Sequence, residues 1–110
     1  MEISIKAQGD VQVVLLGGRF DAQAAGMVEE KLNGVLDAGH KKLLVDLAGT
    51  NYISSAGLRV LLATTKKVKK TNGRIVLSSL TQYVKEVFEI AGFTSIFDIY
   101  GDPNEALKHF

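Results

Sequence analysis

The residues best suited to chemistry lie in Asn51-Tyr52-Ile53-Ser54-Ser55-Ala56-Gly57-Leu58-Arg59-Val60-Leu61-Leu62. Two adjacent hydroxyls, Ser54 and Ser55, follow the apolar run Leu43-Leu44-Val45-Asp46-Leu47 and precede a basic amphipathic segment. They stand where a predicted strand gives way to a predicted helix. A serine there is a preferred helix cap. It also lies at the carboxyl end of a strand, where α/β sheets place their sites. A phosphate on it would meet unpaired backbone N–H groups and the positive end of a helix dipole. It would present about 1.5 to 2 negative charges to a partner. On the residues alone, cap and phosphoacceptor both stay open.

Catalytic readings of the same stretch fail for want of companions. Gly49 to Gly57 lacks the Gly-Lys-Ser/Thr ending of a phosphate-binding loop. A nucleophile elbow needs a glycine two residues before its serine, and Ile53 stands there. The two histidines, His40 and His109, read as solvated surface residues. Asp10, Asp21 and Asp46 could be gathered as a Mg²⁺ cluster, but Asp10 reads as a hairpin turn and Asp21 as a helix cap. Lys66, Lys67, Lys69 and Lys70 form a dense basic cluster without interleaved aromatics. A solvated helix C-terminus, where cations complement the dipole, accounts for it, and a contribution to an acidic protein partner stays open. The expectation is a protein that is not an enzyme, with no metal, no cofactor and no nucleic-acid partner.

Elements must position these groups, and composition bounds them. A chain of 110 residues with 46% hydrophobic residues supports one core. The net charge of +1 gives no global field for a polyanion. There is no cysteine, which fits a reducing cytosol. The start Met1-Glu2-Ile3-Ser4-Ile5-Lys6 does not resemble a signal peptide, and no apolar run nears the ~18 residues of a membrane span. A cytoplasmic location without membrane contact is expected.

Ile3, Ile5 and Ala7 alternate with polar residues as in a half-buried strand. Gly9-Asp10 turns the chain, Val11 to Leu16 returns, and Gly17-Gly18 is expected to end that strand. Asp21 is placed to cap a helix with Ala24, Val28, Leu32, Val35 and Leu36 on one face, closed by Gly39. Lys42 to Leu47 suits a strand buried on both faces. Leu58, Leu61, Leu62, Thr65 and Val68 form the stripe of the second helix, which Asn72-Gly73 stops. Arg74 to Ser78 is a strand, and Ser79 or Thr81 can cap a third helix with Val84, Val87, Phe88 and Ala91 inward. Gly92 ends it, Ile96 to Tyr100 is a last strand, and Asp102-Pro103 opens a terminal helix carrying Ala106, Leu107 and Phe110. The order β-β-α-β-α-β-α-β-α implies a mostly parallel mixed sheet with helices packed on it, one α/β domain over residues 1–110.

Tyr52-Ile53-Ser54-Ser55-Ala56-Gly57-Leu58-Arg59 resembles the signature of anti-sigma factor antagonists, whose STAS domain is shared with sulfate transporters. That signature reads [FY]-[MI]-D-S-[SAT]-G-L-G. Gly18-Arg19-Phe20-Asp21 resembles the family's turn before its first helix. Asn72-Gly73-Arg74-Ile75-Val76-Leu77 resembles its fourth strand, and Val84 to Phe93 its third helix and following loop. There are two departures. Ser54 stands in place of Asp, and Arg59 in place of Gly.

The resemblance implies a binding module switched by phosphorylation. Its unphosphorylated form would bind a serine-kinase anti-sigma factor of the GHKL type and so free a sigma factor for transcription. A PP2C-type phosphatase would reset it. The acceptor position falls on Ser55, with Ser54 as a second hydroxyl. Asp21, Asn51, Tyr52, Ser54, Gly57 and Arg59 would form the partner surface, and the free protein is expected to be a monomer. The missing Asp favours an alternative, a constitutive STAS scaffold whose serine is only a cap. A nucleotide- or small-ligand-binding STAS domain is a further alternative.

Overall fold

A computed structural model describes residues 1–110. The elements are β1 (Glu2–Gln8), β2 (Val11–Phe20), α1 (Ala22–Asp37), β3 (Lys42–Ile53), α2 (Ser55–Lys70), β4 (Arg74–Ser78), α3 (Gln82–Ile90), β5 (Asp98–Tyr100) and α4 (Pro103–Leu107). The β-β-α-β-α-β-α-β-α order read from the periodicities is the order found. The strands lie side by side as β1-β2-β3-β4-β5, antiparallel in the first hairpin and parallel thereafter. Because each crossover steps to the next strand in one direction, right-handed connections place α1, α2 and α3 on the same face.

Side-chain alternation sorts the core accordingly. Val14, Leu16, Val45, Leu47 and Leu77 join Val28, Leu32, Leu61, Val84 and Phe88 in the principal core beneath those three helices. Val11, Val13, Leu44 and Val76 point to the other face, where Ala106 of α4 covers them. The strand over Lys42 to Leu47 is buried on both sides, as its continuous apolar run requires. No helix is long and apolar enough to cross a membrane.

Several boundaries differ from the sequence reading. β2 does not stop at Gly17-Gly18 but runs to Phe20, and β3 runs past Leu47 to Ile53. Two register shifts, between Leu15 and Gly17 and between Gly18 and Arg19, let the pair continue as a bulged ribbon. Glycine makes this possible. Gly18 has φ +103°, and a side chain on Gly49 would come within 3.2 Å of Gly17 Cα. β1 is an edge strand whose Ile5 and Ala7 are exposed, because the helices cover β2 to β5 and only Ile3 reaches the core. β5 is shortened to three residues because Ile96 and Phe97 are held in a turn onto the Phe93 carbonyl. In α3, Phe88 is buried while Ala91 is exposed, since the helix is only nine residues long and ends there.

Candidate functional site

Extension of β3 brings the chain to Ser54 without an intervening loop. The Ser54 N–H donates to the Phe20 carbonyl at 2.9 Å, tying the ends of β2 and β3 together. Its hydroxyl donates to the same carbonyl at 3.3 Å and accepts the Gly57 N–H at 3.2 Å. Ser54 is therefore the N-cap of α2, in extended conformation at ψ 171°. Which of the two serines caps is settled by this geometry. Ser55 is the first residue of the helix, is exposed, and its hydroxyl makes no hydrogen bond within the protein.

Gly57 is buried beneath this turn. A Cβ there would lie 2.9 Å from the Phe20 carbonyl oxygen and 2.9 Å from Ile53 Cγ1. Absence of a side chain is what lets α2 start so close to the sheet. Arg59 is one turn on from Ser55 and exposed, with no ion-pair partner among the salt bridges of the chain.

The end of β2 completes the surface. Asp21 caps α1 by accepting the Ala24 N–H at 3.0 Å, and its other carboxylate oxygen lies 3.9 Å from Arg19 Nε. Arg19 in turn lies over the Tyr52 ring, 4.2 Å from its centroid. Tyr52 stacks on Tyr83 of α3 with centroids 6.0 Å apart and planes 20° from parallel. Asn51 is exposed beside it. The register Arg19↔Tyr52 and Phe20↔Ile53 thus carries Asp21 alongside Ser54 and Ser55. Arg19 and Tyr83 were not among the sequence candidates. Arg19 sat in the recognised Gly18-Arg19-Phe20-Asp21 turn, whereas Tyr83, remote in sequence from both Arg19 and Tyr52, carried no local signal.

The third helix is not capped as its sequence suggests. Thr81 occupies the N-cap position, but its hydroxyl donates to the Thr50 carbonyl at 3.0 Å and so pins α3 to β3. Ser79, at φ +63°, donates at 2.8 Å to Asp46, which also receives Ser78 Oγ at 2.9 Å and the Ala48 N–H at 3.0 Å. Asp46 is thus a buried, satisfied carboxylate, and its role is to fasten β4 to β3. Asp10 is engaged at the hairpin by Lys42 Nζ at 2.7 Å; this hydrogen bond and charge hold its carboxyl below the ordinary value. No group of three or more acidic or histidine side chains stands within common ligating reach. His40 lies in the loop before β3, and His109 stacks on Tyr100 with ring centroids 4.1 Å apart. A surface cleft of about 490 Å³ beside Leu80, Lys85, Phe97 and Tyr100 has neither Ser54 nor Ser55 in its lining.

Fold and site together define a small mixed-sheet α/β domain that presents an unbonded serine at a strand–helix junction, with neither histidine nor a metal cluster beside it. The sequence model of the STAS domain family matches residues 2–106, and the chain belongs to that family. The protein BtrV of Bordetella bronchiseptica, assigned as an anti-sigma factor antagonist, is 34% identical over 110 residues, covering 100% of this chain and 95% of that protein. The anti-sigma-B factor antagonist of Bacillus subtilis is 34% identical over 92 residues, covering 84% and 83%. Among solved structures, SpoIIAA, an anti-sigma factor antagonist in its unphosphorylated form, superposes with a TM-score of 0.84 at 17% identity, covering 98% of this chain and 95% of that one. That last likeness bears on fold alone. These relatives carry the names of anti-sigma factor antagonists, as does RsfB of Mycobacterium tuberculosis, 24% identical over 107 residues.

Proposed function

We propose that this protein is an anti-sigma factor antagonist switched by phosphorylation of Ser55. In its unphosphorylated form it binds a serine-kinase anti-sigma factor of the GHKL type, which releases the sigma factor. A PP2C-type phosphatase restores the binding form. The protein is a substrate and a ligand here, not an enzyme, and needs no cofactor. Residues 1–110 act as one STAS unit, monomeric when free.

One observation carries the choice of acceptor. Ser55 is exposed with a free hydroxyl, while the Ser54 hydroxyl is held between the Phe20 carbonyl and the Gly57 N–H. A kinase can approach the first without dismantling the helix start. A phosphate on Ser55 would sit at the positive end of α2 and one turn from Arg59, so the fold would tolerate it. To the partner surface around that position we assign Asp21, Asn51, Tyr52, Ser54, Gly57 and Arg59. To weaken the complex a hundredfold, the phosphate must cost roughly 2.7 kcal/mol at the interface. A desolvated dianion facing a partner can supply that.

Incubation with the cognate kinase and ATP is expected to add one phosphate, located on Ser55 by mass spectrometry. Ser55→Ala should abolish incorporation and keep kinase binding. Modification confined to Ser54 would move the acceptor, and binding unaffected by Ser55 phosphorylation would remove the switch.

A further inference from the structure

We infer that the exposed face of α2 is a docking ridge for an acidic surface of the protein partner, an inference that rests on the switch proposed above. From Ser55 the exposed side chains of this helix follow steps of three and four residues through Arg59, Lys66, Lys69 and Lys70, with half-buried Leu62 in the gap. The helix carries Arg59, Lys66, Lys67, Lys69 and Lys70 and not one carboxylate. The chain as a whole is only +1, so positive charge is concentrated on this face rather than spread over the molecule.

The protein itself leaves these charges uncompensated. Lys67 reaches across to Asn33 of α1 at 2.7 Å, but Arg59, Lys66, Lys69 and Lys70 enter none of the ion pairs of the chain. The helix dipole favours cations only in the last turn. That covers Lys69 and Lys70 but not Arg59, which lies near the positive end where a cation is disfavoured. Lys66 and Lys70, four residues apart on one face, repel each other. A partner bearing carboxylates would relieve both costs. Leu62 gives that partner an apolar seat within a charged rim, the arrangement of a protein interface.

A polyanionic strand or an anionic lipid surface fits less well. The near-neutral molecule offers no broad positive field, and α2 has no aromatic residue on which a base could stack. Lys67, turned toward Asn33 of the adjoining α1, bounds the ridge on one side. The ridge is narrow and suits a matched protein surface. Its head is Ser55. A phosphate there would capture Arg59 and turn the head of the ridge from positive to negative, so that an acidic partner is repelled where it was attracted.

The test is the affinity and association rate of the Ser55 kinase for four forms: the wild type, Lys66→Glu/Lys70→Glu, Lys6→Glu/Lys108→Glu with the same net charge, and Ser55→Asp. The ridge variant is expected to raise Kd at least about tenfold, chiefly through slower association, and to lose the wild type's fall in rate with added salt. The matched control, whose changes lie on β1 and beyond α4, should stay within about twofold. If the ridge variant binds like the wild type while Ser55→Asp is weakened, the ridge is wrong and the switch stands. If both charge variants weaken alike, net charge rather than the ridge is responsible. If the wild type does not bind the kinase at all, both readings fall. Circular dichroism checks the fold, and Lys66→Gln/Lys70→Gln replaces the charge reversal should that variant unfold. Tighter binding to phosphatidylserine vesicles than to the kinase would also overturn the assignment.

Discussion

The guanidinium of Arg19 lies over the face of Tyr52 at 4.2 Å, and Tyr52 carries the stack onward to Tyr83. Three elements, the ends of β2 and β3 and the first turn of α3, meet in that ladder. It gives the surface around Ser55 a preorganised rim of the residue types that dominate protein interfaces. Tyr52→Ala is expected to weaken binding of the partner kinase about tenfold, equivalent to about 1.4 kcal/mol. Tyr52→Phe keeps the ring face and should bind nearly as the wild type does. Isothermal titration calorimetry distinguishes the two, and equal losses would mean that the hydroxyl, not the stack, matters.

The two serines are expected to separate cleanly in stability. Ser54 holds the Gly57 N–H and Ser55 holds nothing. Ser54→Ala should therefore cost about 1 kcal/mol in urea unfolding. Ser55→Ala should change stability by less than about 0.5 kcal/mol. A larger loss at Ser55 than at Ser54 would contradict the capping geometry.

Gly57→Ala tests close packing against helix propensity. Alanine is intrinsically better than glycine inside a helix by about 1 kcal/mol. Here its methyl would press within 2.9 Å of the Phe20 carbonyl oxygen, a backbone atom with little freedom to move. Overpacking of this kind costs about 1–3 kcal/mol. A lowered melting temperature is expected, and an unchanged or raised one would show that the start of α2 can shift away from the sheet.

Much of the fold was legible along the chain because its signals are local. Asp21 and Asp102 cap the helices that follow them, Gly9, Gly39 and Gly92 take positive φ at the turns assigned to them, and Arg74 to Ser78 is a strand with the bounds its apolar run suggests. The strand ends of β2 and β3 were not legible. Gly17-Gly18 looks like a break in sequence and the apolar run of β3 stops at Leu47, yet Gly17 and Gly49 face each other and let a bulged ribbon continue. Likewise Ser79 and Thr81 carry the signature of caps, but Asp46 and the Thr50 carbonyl compete for their hydroxyls and win.

The sequence by itself determined the order of elements, the presence of a serine pair at the strand–helix junction and the family to which the chain belongs, because periodicity, turn residues and a contiguous motif are all properties of neighbours along the chain. Only the tertiary structure decided which serine is which. The Phe20 carbonyl, thirty-four residues before Ser54, engages that hydroxyl and leaves the one at Ser55 free. The same holds for the Arg19–Tyr52–Tyr83 ladder, whose members are brought together by strand register and helix packing. Hydrogen bonds and stacking depend on distance in space, and distance in space is set by the sheet.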